Sequence, residues 1–359
     1  MRDDCLIVKA FSLPDIVDSY TSYDWDVLIR QARRGDVLAR LYVVLKQRQL
    51  LTKVPESAHN HLKSAWALAQ KHERDLRWEV NRIQHALNET EIPIVLLKGA
   101  AYLMQNLPAA QGRFYADIDI MVPKESLPVV ERALLIHGWM AVKLDVYDQQ
   151  YYRKWMHEIP PMRHRRRQTV IDVHHRILPE TTRAQPDAKK LLDASIPVDG
   201  YESVRTLSPV DMVLHSATHL FNEGELDHGL RDLLDLHELF LIFGENENFW
   251  NKLGERARKL ELTRPLYYAL RYTKGFLNTP IPQQSIRQIE TEGPNWLFAP
   301  LMDALYKRAL VPVHPSCDLY MTSLARWLLY IRAHYLRMPM YLLIPHLMRK
   351  AFIKEKENS

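Results

Sequence analysis

The chain has 359 residues, 47% of them apolar and 25% charged, which excludes global disorder; 11 Gly and 21 Pro exclude a collagen-like or low-complexity fibre. At roughly 150 residues per domain, the length predicts about two domains, or one core with helical extensions. A balance of 48 basic against 43 acidic residues leaves +5, which permits a nucleic-acid partner without demanding one. Two cysteines, Cys5 and Cys317, lie too far apart in sequence to suggest a disulfide framework or a zinc site, so a reducing, cytoplasmic setting is expected. The N-terminus lacks the apolar run of a signal peptide. No uncharged stretch reaches the roughly 18–20 residues of a spanning helix, and Met338–Met348 is short and flanked by Arg337 and Arg349.

Residues 1–90 read as a helical region. Leu28, Ala32, Val37, Leu38, Leu41, Val44 and Leu45 recur at helical spacing within Trp25–Leu51, with Gly35 as the interruption. Leu62, Trp66, Ala69, Leu76, Val80, Ile83 and Leu87 do the same within Ser57–Leu87.

The pattern changes at Pro93, where residues 91–180 read as a strand-rich core. Ile94-Val95-Leu96-Leu97 is a short apolar run ending in the Lys98-Gly99 turn, with a turn or two of helix over Ala100–Leu107. In Ala116–Val122 apolar residues alternate with Asp117 and Asp119, so both carboxylates leave one face of a strand. A helix over Ser126–His137 stops at Gly138, and Trp139–Val146 reads as a third strand. Glu158–Arg163 and Gln168–Ile177 flank the basic turn His164-Arg165-Arg166-Arg167, which predicts a hairpin carrying Asp172 opposite its apolar neighbours. Residues 181–207 read as a connecting segment. Residues 208–359 read as helical again, opened by Ser208-Pro209-Val210-Asp211 and closed by the charged tail Ile353–Ser359.

Three acids converging on one sheet face repel one another, and divalent cations are what makes such a cluster stable. Mg²⁺ suits a few carboxylates plus phosphate oxygens and water. Two such ions activate a hydroxyl and stabilise a leaving pyrophosphate. The strand–Gly–helix turn at Lys98-Gly99 offers close backbone approach and a cation to a triphosphate, and Arg113 lies within reach of the same phosphates.

Gly99, then Asp117-Ile118-Asp119, then Asp172, within VLLKGAAYL, GRFYADIDIMV, HGW and IDVHHRI, resembles the DNA-polymerase-β-like nucleotidyltransferase superfamily, most closely its uncharacterised bacterial group. The resemblance covers about residues 91–178 with motifs, and more loosely the helical part to about residue 350. It implies an α+β fold: a small mixed β-sheet core with helices, extended here by the N- and C-terminal helical regions. It implies Asp117 and Asp119 as ligands of two Mg²⁺ ions (Mn²⁺ as the alternative). Asp172 is then the third ligand and the base for an acceptor hydroxyl, and an NTP, ATP first, is the substrate. Two features depart from the pattern: Ala100 stands where a Ser is usual, and Gly99 to Asp117 is longer than the usual spacing.

Lys98, Gly99, Arg113 and Arg231 are the nucleotide-binding candidates. Arg231 and Asp235 are spaced i, i+4, which also fits a simple intrahelical ion pair. His174 shares a strand face with Asp172 and could touch the site, with a structural role expected first; His215 and His219 sit i, i+4, a spacing that can bind zinc, but without the Glu of a zinc-protease motif, so packing or a polar contact with the catalytic core is expected for them. The basic turn 164–167 reads as a solvated tip or a grip on a polyanionic acceptor such as RNA. Two rival readings are a non-catalytic nucleotide- or protein-binding member of the same fold, and a membrane-surface protein using the basic, apolar stretch Tyr330–Lys354. The acceptor and the oligomeric state are not written in the sequence.

Overall fold

Residues 5–142, 146–222 and 224–338 are described by the computed structural model. The chain opens with α1 (Leu6–Ser12), α2 (Ser22–Arg34), α3 (Leu38–Gln47) and the long α4 (Glu56–Leu87). A reciprocal cap between Thr21 and Asp24 starts α2. The break expected at Gly35 is present, and Asp36 takes the left-handed conformation there (φ 59°). Along α4, Leu62, Leu76, Val80, Ile83 and Leu87 are buried at the predicted helical spacing.

Among the described residues seven strands form one mixed sheet: β1 (Ile94–Leu96), β2 (Asp117–Met121), β3 (Trp139–Ala141), β4 (Met162–His164), β5 (Val170–His174), β6 (Ile196–Pro197) and β7 (Val204–Thr206), in the order β3-β4-β5-β2-β1-β7-β6. β2 runs parallel to β5, and β1 parallel to β7, while the other neighbours are antiparallel. The fold is thus the expected α+β arrangement around a mixed sheet. The connecting segment supplies α8 (Ala188–Asp193) and the two strands β6 and β7 to the sheet.

Between strands lie α5 (Lys98–Met104), α6 (Leu127–Ile136) and α7 (Val146–Trp155). The third strand is shorter than expected: it stops at Ala141, and Val146 begins a helix that the sequence reading missed. After β7 come α9 (Pro209–Asn222), α10 (Gly229–Phe243), α11 (Glu247–Lys259), α12 (Thr263–Leu277), α13 (Gln283–Glu290), α14 (Ala299–Ala309) and α15 (Thr322–Arg337). Among the described residues no helix is long and apolar enough to cross a membrane. Residues beyond Met338 lie outside the described residues. They include most of the Met338–Met348 and Tyr330–Lys354 stretches and all of the tail Ile353–Ser359.

Two expectations need correction. Cys5 and Cys317, 312 residues apart in sequence, form a disulfide with Cα atoms 4.8 Å apart. Folding brings the N-terminus of α1 against the turn before α15, so distance along the chain said nothing about distance in space. With the cysteines paired, cysteine usage no longer argues for a reducing compartment. The basic turn is not uniformly solvated either. Arg167 donates Nε and Nη2 to the Glu79 carboxylate of α4 (2.9 and 2.8 Å), with its guanidinium over the Trp78 and Trp139 rings. Glu79 is 1% exposed, so this pair ties the hairpin to the N-terminal region from inside the protein.

Candidate active site

β2 and β5 lie side by side with Asp119 opposite Asp172. Alternation places Asp117 on the same face as Asp119, so the pleat alone gathers the three acids. Their environments differ. Asp119 is buried (6% exposed), while Asp117 is exposed at the mouth of the strand. Burial opposes ionisation of Asp119, but Lys98 and then His174 outweigh it and hold this carboxyl below the usual range. Lys98 Nζ lies 3.3 Å and His174 Nε2 2.9 Å from the same oxygen, Oδ1. Asp172 carries the opposite shift. Burial, then the charges of Asp119 and Glu158, push its carboxyl up to about 7. Its Oδ1 is buried with no hydrogen-bond partner among the described residues. Asp117 is raised too, by partial loss of water at the start of the strand and then by Asp119. An unpaired inner oxygen beside two further carboxylates is the donor set a divalent cation requires.

The turn before the acids is built tightly. Leu97 N–H donates to Asp119 O (3.0 Å), locking the turn onto β2. Lys98 follows in the left-handed region (φ 45°), a conformation that costs a non-glycine residue about 1–2 kcal/mol and is held here by its contact with Asp119. A Cβ on Gly99 would fall 2.8 Å from Arg113 Nε and 3.0 Å from the Tyr115 ring, so only glycine fits. Close approach is therefore the reason for this glycine, and the group that approaches is Arg113.

Arg113 is 9% exposed, and its Nη1 contacts the Asp235 carboxylate and lies 3.8 Å from Asp232. Asp235 Oδ1 is also 2.7 Å from Arg40 Nη2 of α3. Burial opposes the charge on Arg113, but Asp235 and then Asp232 hold its guanidinium above its ordinary value. The i, i+4 pairing expected between Arg231 and Asp235 is thus replaced. Asp235 belongs to Arg40 and Arg113, while Arg231 Nε pairs with Asp232 at 2.9 Å and its Nη1 lies 3.9 Å from Asp36. The structure brings Lys98, Gly99 and the three acids together. It sets Arg113 behind Gly99, and it sets Arg231 in the wall of a recess of about 160 Å³ with His219, Glu225, Asp227, His228 and Asp232. A larger cleft of about 630 Å³ lies among α12, α13 and α14 and includes none of the acids.

His215 is buried, and desolvation followed by the nearby positive charge of Lys98 holds its imidazole well below its ordinary value, as a neutral packed histidine. His219 Nε2 lies 4.0 Å from Asp232. His157 and Glu158, beside His174, are polar neighbours of the site that the sequence reading passed over, because neither stands at a motif spacing.

The pH dependence of stability follows from these shifts. A carboxyl at about 7 in the folded state and about 4 in the unfolded one binds its proton more tightly when folded. Its contribution is present below about pH 4 and is lost as the pH rises to about 7. His174 is shifted up as well: burial opposes its charge, but Glu158 and Asp119 outweigh it, and its contribution fades above about pH 6.5. In chelator the melting temperature of wild type relative to Asp172→Asn is therefore expected to fall between pH 4 and 7, the variant cancelling the opposite slope of buried neutral histidines such as His215. Added Mg²⁺ should raise it more at pH 8 than at pH 5. Thermal denaturation with and without the ion checks this.

Residues 21–278 match the model of a family described as uncharacterised nucleotidyltransferases. Among solved structures, the antibiotic-resistance factor ANT(2'')-Ia is similar at 14% identity and TM-score 0.35, over 55% of this chain and 95% of that one. An antigenic nucleotidyltransferase-like protein from Paracoccidioides brasiliensis is similar at 14% identity and TM-score 0.27, over 60% of this chain and 95% of that one. No curated protein matches the chain.

Proposed function

The chain belongs to the uncharacterised nucleotidyltransferase family, and we propose from its acid cluster that it transfers a nucleoside monophosphate from an NTP to an acceptor hydroxyl, releasing pyrophosphate. The observation that carries this reading is the register pairing of Asp119 with Asp172 beside Asp117, with one Asp172 oxygen buried and unpaired.

Asp117, Asp119 and Asp172 are the residues that would hold two Mg²⁺ ions, or Mn²⁺ in their place. When bound, the ions supply charge neutralisation at the attacking and leaving oxygens. Asp172, with its carboxyl near 7, accepts the proton of the acceptor hydroxyl at neutral pH. Lys98 at the Gly99 turn supplies positive charge to the triphosphate, whose ATP form is the first to test. Arg113 acts as a positioning residue, fixing the turn through its packing on Gly99. Arg231 meets the nucleotide from the recess. Arg231 shares the wall of that recess with His219 and Asp232.

The test is label transfer and pyrophosphate release from each α-labelled NTP, with Mg²⁺ and cell extract as the source of acceptor. Wild type is compared with the Asp117→Asn/Asp119→Asn double variant. Label is expected on an extract component with wild type only, and its size separates a small molecule from a protein or an RNA. Equal transfer by both proteins would refute the reading. Nucleotide binding without transfer from any of the four would favour the binding-only alternative.

A further inference from the structure

Next to the acid triad, a second donor set is assembled from two adjacent backbone segments. Ile159 N–H donates to Val173 O at 3.0 Å, and His175 N–H donates to His157 O at 2.9 Å. These bonds, with a bridge between Glu158 and His174, lay residues 157–159 along the end of β5. The result is a fixed group of His157, Glu158 and His174 with one ligand atom from each, all within 4.8 Å of one another. His174 Nδ1 and Glu158 Oε2 are already 3.3 Å apart. Ligands held about 2.1 Å from a tetrahedral metal lie about 3.4 Å from each other. This edge is therefore at its metal-bound length.

The other nitrogen of His174 is held by the acid triad. Its Nε2 lies 2.9 Å from Asp119 Oδ1. A proton on Nε2 donated to that carboxylate leaves the Nδ1 lone pair directed at the group containing Glu158. Metal-binding histidines almost always hand their second ring N–H to such a partner. His174 is 3% exposed, so the tautomer is set by the protein rather than by water. Two imidazoles and one carboxylate favour Zn²⁺ and its neighbours in the first transition row over the oxygen-preferring Mg²⁺.

We propose that His157, Glu158 and His174 bind a single transition-metal ion of the zinc–cobalt class, joined through His174 to Asp119. The site is distinct from the carboxylate triad and stands whether or not the transferase reading does, because its test reads ion binding alone.

Full-length protein stripped with chelator is titrated with Co²⁺ in the absence of Mg²⁺, and the visible absorption of the ion is followed. One equivalent is expected to give the intense bands of four-coordinate cobalt, and Zn²⁺ is expected to abolish them by displacement. His157→Ala and Glu158→Gln should each weaken binding by more than about tenfold, since even an outer partner of a metal ligand is worth 10–100-fold. Asp117→Asn should leave the bands in place. Circular dichroism verifies that each variant is folded, and the conservative Glu158→Gln guards against a disrupted segment. Absence of bands, bands unmoved by both His157→Ala and Glu158→Gln, or bands lost in Asp117→Asn would overturn the proposal. The last outcome would place the ion in the triad and leave His174 as an imidazolium held between two carboxylates.

Discussion

Asp235→Ala is expected to remove about 3–5 kcal/mol of folding free energy, because it leaves two guanidinium groups buried without their shared counter-charge. The side chains concerned are 4% exposed for Arg40 and 9% for Arg113. Asp232, 3.8 Å from Arg113 Nη1, recovers part of one pair and none of the other. The comparison is Asp26→Ala, whose partner Arg30 is exposed on α2 and whose loss should leave the unfolding midpoint almost unmoved. Urea denaturation of the two variants beside wild type measures both. A loss below about 1 kcal/mol for Asp235→Ala would mean that the network is hydrated or rearranges, and that Gly99 is not backed by a fixed arginine.

Asp172→Asn is expected to lower turnover by about 10²–10⁴-fold, the usual worth of a positioned general base. The wild-type rate should rise with pH as the Asp172 carboxyl, at about 7 without metal, gives up its proton. Bound cations pull that step lower, so increasing Mg²⁺ should move the rising limb to lower pH. The variant should lack the limb altogether, whatever its residual rate. A variant that keeps the wild-type pH profile at reduced rate would assign Asp172 to metal binding only and the proton to another acceptor.

Much of the acid site was legible because it depends on short-range rules. Alternation in Ala116–Val122 put Asp117 and Asp119 on one face, and the same alternation around Ile171-Asp172-Val173 supplied the third acid. The sheet register then had only to place the two strands side by side. What surrounds the acids was not legible. Arg231 and Asp235 satisfy the i, i+4 rule, but spacing along a helix is a permission and not a bond. Arg40, from a helix far earlier in the chain, lies closer to Asp235 in the folded protein. The strands β6 and β7 are two and three residues long in a Pro-containing polar stretch, below the length at which a periodic signal exists. The helix over Val146–Trp155 is rich in Tyr, with Val and Trp at its ends, residues that favour strands as isolated units. His157 and Glu158 acquire meaning only when β5 lies beside them.

The position of β7 has a consequence for how this protein can be cut or exchanged. β1, which carries the Lys98-Gly99 turn at its end, lies between β2 and β7. Ile94 N–H donates to Ser203 O at 2.9 Å, so the chain that closes this flank arrives only after the last acid has been laid down. A fragment stopping at residue 180 would keep every carboxylate and lose that neighbour. It would turn a buried strand, whose three residues are all covered in the whole chain, into a bare hydrogen-bonding edge. The smallest portable unit of this site is therefore set by the far border of the sheet, and a graft or truncation guided by the acids alone would carry the chemistry away from its support.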